Sequence, residues 1–592
     1  MENKRDNLNT LFVSGRLLQI PFYQRAFVWK REQWERFLDD MLYVSKVKRP
    51  YFLGSVILKQ LDTPSSEANK KRRITDRRLV IDGQQRLTTI MLFFKALYLR
   101  MEMDDMFYST FCFHDRTPLL EHGKADGEYF AAIMALSPEL AKQNKREVGK
   151  AAPVDSMQSN VIDAFNYFYD EINLEDIDEL SIVKNLGFYV IDVSRDEDEQ
   201  QIFDTINSLG VTLTTAELLK NYLFDKDNMG EFEKYWEPVF EKNEEMRKWW
   251  NQEIVTGRIR RTMIDLFFDA LLQILIQDTR FGVSADEKMA YERIDQLFHS
   301  YQSFLKKHYL RVEPSGMRAF FKKMSHYATL FTKAIDPSAT RRSIEKNERL
   351  ARLNVVIFGL KSTTMIPYIL YIEGSVDDEA ERNNIWRLLE SYMMRRIITR
   401  ETTKNYNRLF TSLILNEVDS AESLKTALGA NDEATTRVPS DDEIESAFKT
   451  ETRLTNLQAK GILYLLEVDI RPKDMGSAIL AFNSYSLEHL MPKNWQSHWE
   501  IPDSEEAIQN RNRKLLTLGN LAIITQPLNA SIRDANWRTK KIGKGSREGL
   551  DKCCSGLTTF EGVLDKEAWD EGSMAERAIA LSKHAVASWQ FE

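Results

Sequence analysis

The segment that most constrains the fold joins a short β-branched run to a long apolar run through a two-residue turn. Residues 77–81 (RRLVI) predict a buried strand, and residues 87–97 have the length and apolar content of a helix. Asp82 and Gly83 form the turn between them. At such a junction the first backbone N–H groups of the helix point outward, and the helix dipole adds about half a positive charge. The stretch therefore predicts a place that suits a phosphate group.

Arg86 adds a full positive charge to the first turn of that predicted helix. Short turn motifs often occur by chance, so an ordinary strand-to-helix turn with a surface arginine explains residues 82–86 equally well. Because the relevant stretches contain no G-x-x-x-x-G-K-[ST] motif, any nucleotide site would rely on this turn.

The composition of the whole chain limits the class of protein and its partners. Its 592 residues suffice for two or three domains, and 43% hydrophobic with 29% charged residues is typical of a soluble globular chain. The net charge of −8 excludes a uniformly basic protein but permits a local basic face. The chain has only three cysteines, which predicts reduced thiols. It shows no apolar signal segment, which predicts a cytoplasmic location. It has no run of about 18 apolar residues, which predicts no membrane contact.

The pattern along the chain predicts an α+β protein that is mostly helical and has three domains. Residues 1–228 alternate strands and helices, residues 229–474 are almost wholly helical, and residues 475–592 return to mixed structure. Pro21 excludes a helix interior, so the aromatic segment 22–29 is expected to be extended, with rings that either contact a ligand or fill the core. The other predicted elements are strands within 51–58, 188–193, 484–492 and 518–525, and helices at 32–42, 199–207, 216–223, 529–541 and 575–590.

Four polar residues near the C-terminus form a pattern that can support phosphodiester hydrolysis. Glu488 and His489 end one predicted strand, Asn520 begins the next, and Asn529 begins a helix, which is a ββα order. A histidine here can deprotonate water, and Asn520 can hold its ring by accepting from Nδ1–H. Glu488 and Asn529 offer oxygen ligands that suit Mg²⁺ or Mn²⁺. A buried, hydrogen-bonded histidine with two asparagines in turns is the simpler alternative.

A cluster of basic residues surrounds this pattern in an otherwise acidic chain. Such a local positive face suits a nucleic acid backbone, whereas a merely solvated face is the alternative. The candidate DNA contacts are Arg533, Arg538, Lys540 and Lys541, and the wider cluster adds Arg511, Arg513, Lys514, Lys544 and Arg547.

Several ordered blocks resemble the GmrSD family of modification-dependent DNA endonucleases. Each block is weak alone, but their order and their spread over nearly the whole chain make the resemblance specific. The N-terminal blocks are residues 20–29 (IPFYQRAFVW), 52–55 (FLGS), 81–89 (IDGQQRLTT) and 203–221; the C-terminal blocks are residues 488–492 (EHLMP), 518–521 (LGNL) and Asn529.

The resemblance implies a ParB/sulfiredoxin-like N-terminal domain that binds and hydrolyses a nucleoside triphosphate. It implies that the phosphates are lined by Asp82, Gly83, Gln84, Gln85 and Arg86, with Gln24 and Arg25 nearby. It also implies a C-terminal HNH-type nuclease domain of the ββα-metal kind, in which His489 is the general base. Many HNH enzymes carry Asp at the position of Glu488 and His at that of Asn529, so the metal ligands depart from the common pattern.

These expectations combine into one leading function and two alternatives. The leading hypothesis is a nucleotide-regulated, metal-dependent endonuclease or nickase of the type IV restriction class, which cuts modified double-stranded phage DNA in antiviral defence. The first alternative is a nucleotide-binding regulatory protein that binds DNA without cutting it, and the second is a nucleotide-hydrolysing toxin that acts without DNA. Because long helical regions often carry dimer interfaces, a homodimer is also kept open.

Overall fold

The chain folds into two compact units, Met1–Met229 and Gly230–Glu592. They are seen in a computed structural model, which describes residues 2–21, 26–63, 66–152, 159–194, 215–224, 228–256, 259–430, 433–451, 454–472 and 478–591. Gln24, Arg25 and the predicted helix 199–207 lie outside the described residues. The predictions made for them therefore stay predictions.

The first unit is built around a mixed six-stranded sheet. Its spatial order is β1-β6-β3-β4-β2-β5. The strand β3 pairs antiparallel with β4 and parallel with β6, and β2 pairs parallel with both β4 and β5. The bounds are Glu2–Asn7 (β1), Arg16–Gln19 (β2), Tyr51–Leu61 (β3), Asp76–Asp82 (β4), Leu120–Glu121 (β5) and Leu186–Val193 (β6).

A buried helix, Gln84–Arg100, runs through the core of this unit. Every residue from 87 to 99 in it is buried, because apolar side chains cover its whole circumference and neighbouring helices pack on it. The predicted strand, turn and helix over residues 77–97 are confirmed. The other helices of this unit are Leu8–Leu11, Arg31–Val47, Glu67–Arg72, Asp104–Phe111, Lys124–Met134, Pro138–Val148, Asn160–Glu171, Glu179–Asn185 and Thr215–Leu223.

The second unit begins as an array of helices. A buried ion network ties three of them together: Arg352 donates to Glu390 at 2.8 Å and to Asp469 at 2.9 Å. Its elements before residue 475 include a hairpin, β7 (Glu253–Thr256) and β8 (Ile259–Thr262). The α-helices, counting one that spans the unit boundary, are Met229–Tyr235, Glu237–Phe240, Glu244–Trp250, Met263–Gln277, Ala285–Tyr291, Leu297–Phe304, Leu310–Val312, Met317–Ala334, Arg349–Asn354, Ile366–Ser375, Glu379–Ile398, Tyr406–Leu415, Ala421–Gly429, Asp441–Lys449 and Asn456–Ile470.

The C-terminal elements pack around a separate apolar core that includes Leu490, Trp495 and Trp569. The predicted helix 529–541 is wrong as one element, since it is two short helices that part at Arg533, whose φ of +36° is not helical. The elements are β9 (Tyr485–His489), Glu505–Lys514, β10 (Leu521–Thr525), Gln526–Ile532, Trp537–Ile542, β11 (Gly543–Lys544), β12 (Arg547–Glu548), Leu550–Cys553 and Glu571–Ser588.

The predicted fold class, α+β and mostly helical, is confirmed by these elements. The second unit contains both the predicted helical middle and the predicted nuclease region, and the division into three domains stays a prediction. Across the described ranges, no helix is both long enough and apolar enough to cross a membrane.

Candidate functional site

The turn between β4 and the buried helix is shaped by a glycine with a left-handed conformation. Gly83 has φ +98°, and a Cβ added there would lie 3.0 Å from the Val56 side chain on β3. A side chain at this position would strain the backbone and crowd the neighbouring strand. The turn therefore brings the N-terminus of the helix directly against β3.

Arg86 reaches from the first turn of that helix across the end of the sheet. Its Nη2 donates to the Ser55 carbonyl at 2.7 Å and to Asp82 Oδ2 at 3.0 Å. Gly54, with φ +133°, leaves the room that the guanidinium fills, since a Cβ there would lie 2.9 Å from Nη1. The Nε atom of Arg86 is buried and has no hydrogen-bond partner among the described residues. A buried donor without a partner is costly, which marks this group as one that a ligand could satisfy.

Gln85 fixes the segment that follows the predicted aromatic motif. Its Oε1 accepts from Val28 N at 2.9 Å, and Asp126 accepts from Phe27 N at 2.6 Å. The Phe27 ring is buried in the main core, which favours the core interpretation for this ring, while Val28 is exposed. Gln85 therefore acts on this segment, and its expected contact with phosphate stays a prediction.

A histidine that no local sequence pattern distinguishes lies near this turn. His122 Nε2 lies 3.0 Å from the Thr88 hydroxyl, and its ring packs on Phe130 with centroids 4.2 Å apart. Burial lowers the pKa of His122 to about 3, so the ring is neutral. His122 is 34 positions away from Thr88 in the sequence, so no local motif could predict the contact.

The C-terminal candidate residues lie on two paired strands and a short helix. Opposite His489 at the end of β9 lies Leu521, the first residue of β10, and helix Gln526–Ile532 follows β10 directly. The ring of His489 makes no hydrogen bond with the described residues. Burial lowers its pKa to about 4, and the charges of Lys493 and Lys540 act in the same direction. The imidazole is thus neutral near pH 7, as a general base requires.

Asn520 is close to His489 in the fold but holds the main chain instead of the ring. Its Oδ1 accepts from Met491 N at 2.9 Å and from Trp569 Nε1 at 3.1 Å. Its Nδ2 donates to the carbonyls of Met491 and Leu515. Because these four bonds use the whole amide, Asn520 does not accept the expected bond from Nδ1–H of His489. Asn520 fixes the turn that follows His489.

Asn529 lies within the short helix Gln526–Ile532 and faces β9. Its Nδ2 donates to Ser486 Oγ at 3.0 Å and to the Leu487 carbonyl at 3.2 Å. Its Oδ1 makes no hydrogen bond with the described residues and is available as an acceptor or ligand. The expectation that Asn529 begins a helix is corrected by its central position there.

Lys540 is not the exposed DNA contact that the basic cluster predicts. Its side chain is fully buried, and its ammonium forms an ion pair with Glu488 Oε1 and donates to the His489 carbonyl at 2.8 Å. Burial raises the pKa of Glu488 and lowers that of Lys540, while the pairing opposes both shifts. Removing either partner of such a buried pair costs about 3–5 kcal/mol.

The remaining candidate DNA contacts differ in exposure. Arg533 and Arg538 are exposed, whereas Lys541 is partly buried and donates to the Lys566 carbonyl at 3.2 Å. Lys493, which the basic cluster did not include, is exposed and close enough to His489 to influence its pKa. Its position four residues after His489 was the available signal.

The predicted metal ligands fit a divalent cation only in part. Among the described residues, no group of three His, Cys, Asp or Glu side chains could hold a metal. Glu488 fits poorly, because its Oε1 already binds the Lys540 ammonium and a divalent cation there would face a second positive charge with little solvent to screen it. Asn529 Oδ1 and the His489 ring make no hydrogen bond with the part of the chain that the structure describes.

Two family models match this chain. The model of the GmrSD restriction endonuclease N-terminal domain matches residues 8–224, and that of the GmrSD restriction endonuclease C-terminal domain matches residues 438–584. The first match includes the turn with Arg86, and the second includes Glu488, His489 and Asn529. A search among curated proteins gave no match.

Proposed function

Because the chain belongs to the GmrSD restriction endonuclease family, we propose that it is a nucleotide-controlled endonuclease or nickase that cuts modified phage DNA in antiviral defence. Membership of this family implies DNA endonuclease activity. The observation that carries the proposal is the neutral ring of His489 at the end of a paired strand, which makes no hydrogen bond with the described residues and lies near exposed Lys493.

In this proposal His489 removes a proton from the water that attacks phosphorus. A positioned general base contributes about 10²–10⁴-fold to a rate. Exposed Lys493, Arg533 and Arg538 hold the DNA backbone through its phosphates, which a chain with net charge −8 can do only through a local basic surface. Lys540 and Asn520 hold the main chain directly after the base, at the His489 carbonyl and at Met491.

A divalent cation, Mg²⁺ or Mn²⁺, remains part of the proposal. When bound, it would stabilise charge on the pentacovalent phosphorus and the leaving oxygen. Asn529, whose Oδ1 has no hydrogen-bond partner among the described residues, would offer an oxygen ligand to such an ion. We also propose that β9, β10 and helix Gln526–Ile532, which carry His489 and Asn529, form an HNH-like ββα site.

The first unit is proposed to act as a ParB/sulfiredoxin-like nucleoside triphosphatase that controls cutting. Its support is the helix N-terminus behind Gly83 together with Arg86, whose buried Nε lacks a partner among the described residues. A nucleotide phosphate would supply acceptors for that donor and for the first N–H groups of the helix. The side chains of Asp82 and Gln84 lie at the same turn and complete the proposed phosphate site.

One observation favours the alternative of a DNA-binding regulator that does not cut. Glu488 is ion-paired, and the described residues lack a ready group of three acidic, histidine or cysteine ligands for a metal. This alternative predicts that DNA is retained after metal removal and that no nucleotide produces cleavage.

The test is a digestion panel of phage DNAs with glucosylated, hydroxymethylated, phosphorothioated or unmodified chemistry. Each DNA is incubated with wild type, His489→Ala and His498→Ala, with Mg²⁺ or Mn²⁺ and each nucleoside triphosphate. We expect cutting of a modified DNA by wild type and by His498→Ala, whose half-exposed ring faces Asp534 with 3.9 Å between Nδ1 and the carboxylate. His489→Ala should cut about 10³-fold more slowly. Equal cutting by wild type and His489→Ala contradicts the assigned base.

A further inference from the structure

Lys540 makes contacts that a DNA-binding lysine would not make. It is fully buried, and its ammonium binds the Glu488 carboxylate and the carbonyl of His489, two neighbouring residues on β9. Lysines are almost never fully buried unless they are paired. Lys540 and Glu488 are 52 positions apart in the sequence, so this contact joins the helix of Lys540 to the strand that carries the proposed base.

The helix that carries Lys540 is itself fixed. Asn536 caps helix Trp537–Ile542 by accepting from Thr539 N at 2.9 Å. The Trp537 ring packs on Trp569 with centroids 5.4 Å apart, and Trp569 donates to Asn520. The lysine and the asparagine therefore belong to one connected support.

That support holds the main chain directly after the His489 ring, at the peptide group between residues 489 and 490 and at Met491. Lys540 binds the His489 carbonyl, the Asn520 carbonyl accepts from Leu490 N at 2.9 Å, and the Asn520 amide binds both backbone groups of Met491. The backbone that carries the ring is thus restrained, while the ring stays free to meet a substrate. Misplacement of a reacting group by about 1 Å can reduce a rate about a hundredfold.

A divalent cation at this carboxylate would lie beside the Lys540 ammonium, which already binds its Oε1. Glu488 is 8% exposed, so little solvent screens a second cation placed beside Lys540. In this arrangement the Lys540 ammonium occupies the position beside Glu488 that a metal ion would otherwise take.

We propose that Lys540 is a positioning residue for His489 and that Glu488 is its fixed counter-ion rather than a metal ligand. The inference deepens the proposed nuclease function and rests on it for its catalytic part. It assigns roles that differ from a metal-binding acid and a DNA-binding lysine. The two residues should therefore act as one unit in catalysis.

The test compares wild type with Glu488→Gln, Lys540→Met and the double variant, all as full chains. Mn²⁺ binding is measured by electron paramagnetic resonance without DNA, and single-turnover cutting is measured at saturating DNA along with the DNA dissociation constant. Circular dichroism checks folding. Glu488→Gln keeps an oxygen acceptor for the ammonium, so it is the milder change.

We expect Glu488→Gln to bind Mn²⁺ as wild type does, and Lys540→Met to bind it more tightly because the carboxylate is then free. Lys540→Met should cut about a hundredfold more slowly, and Glu488→Gln should be slowed less, both with an unchanged DNA dissociation constant. The double variant should be no slower than the slower single variant.

Three results overturn the inference. Mn²⁺ binding that weakens about tenfold or more in Glu488→Gln makes Glu488 a ligand. Cutting by Lys540→Met at the wild-type rate, or DNA binding that weakens in step with the rate, removes the positioning role. If wild type cuts no DNA, the proposed function fails, and Mn²⁺ binding still decides the role of Glu488. If Lys540→Met does not fold, Glu488→Gln decides both points.

Discussion

Arg86 in the first unit and Lys540 in the second bind the same kinds of partner, but they differ in solvent exposure and in the donors left for a ligand. Each cation binds one carboxylate and one backbone carbonyl: Asp82 and Ser55 for Arg86, Glu488 and His489 for Lys540. The Arg86 side chain is 25% exposed and keeps a buried Nε without a partner among the described residues. The Lys540 side chain is 0% exposed.

This difference separates a cation that can receive a ligand from one that holds the fold. An incoming phosphate can reach Arg86 and satisfy its remaining donor, because charge-assisted bonds to phosphate are among the stronger polar contacts. A phosphate cannot reach Lys540, because its ammonium is buried and binds Glu488 and His489 on the strand that carries the proposed base. A basic residue near a candidate site is therefore informative only when its exposure and partners are known.

Replacing Arg86 by alanine tests its comparison with Lys540, and we expect it to have the largest effect of the changes considered. We expect nucleotide affinity to fall about a hundredfold, since the loss of charge-assisted bonds to phosphate is worth about 1.5–3 kcal/mol. Cutting should lose its dependence on nucleotide, while Mn²⁺ binding by the second unit stays unchanged. Nucleotide affinity is measured by isothermal titration calorimetry.

Arg116→Ala is the matched control, because this exposed arginine of the same unit pairs only loosely with Asp105, at 3.4 Å. Arg86→Lys keeps the charge but loses the planar fork, so it should fall between wild type and Arg86→Ala. If Arg86→Ala retains both nucleotide turnover and nucleotide control of cutting, residues 82–86 are only a turn.

Much of the Arg86 region could be predicted from sequence because its information is local. A β-branched run, a glycine and an apolar run of helical length lie within 21 consecutive residues, and each favours the observed element. What could not be predicted is the support from β3. Nothing local indicates that the Ser55 carbonyl receives Arg86 or that Gly54 makes room for it.

The second region was predicted less well because its contacts are distant in sequence. The two strands, their order and the place of His489 follow from local pattern, whereas the direction of each basic side chain does not. Lys540 and Arg538 lie on one short helix, yet one is buried and the other exposed. A count of charges treats them alike. The break at Arg533 likewise depends on a backbone conformation that propensity does not favour.

His122 offers a test of moderate size for the region around Arg86. Its pKa is about 3 in the folded chain against about 6.5 when unfolded, so below pH 6.5 the unfolded state binds more protons. Stability of the first unit should therefore fall with decreasing pH, by about 1.4 kcal/mol per pH unit from this residue. His122→Gln should lose that contribution.

The measurement for His122 is hydrogen exchange of peptides from helix Gln84–Arg100 at pH 7.5 and 5.5, corrected for intrinsic rates. Wild type should lose more protection on acidification than His122→Gln, by about tenfold per pH unit below 6.5. Equal losses in the two proteins would show that His122 stays as easily protonated as in the unfolded chain.

Arg538→Ala gives the smallest effect and separates the two faces of the helix that carries Lys540. Arg538 is exposed, so its loss should weaken DNA binding only severalfold and reduce the slope of log affinity against log salt by about 1, as for one phosphate contact. Lys583→Ala, an exposed lysine on helix Glu571–Ser588, controls for the change in net charge. Lys540→Met should leave the salt slope unchanged, because a buried ammonium releases no counterions from DNA. Fluorescence anisotropy with labelled DNA at several salt concentrations measures all three, and an altered slope in Lys540→Met would place that lysine among the DNA contacts after all.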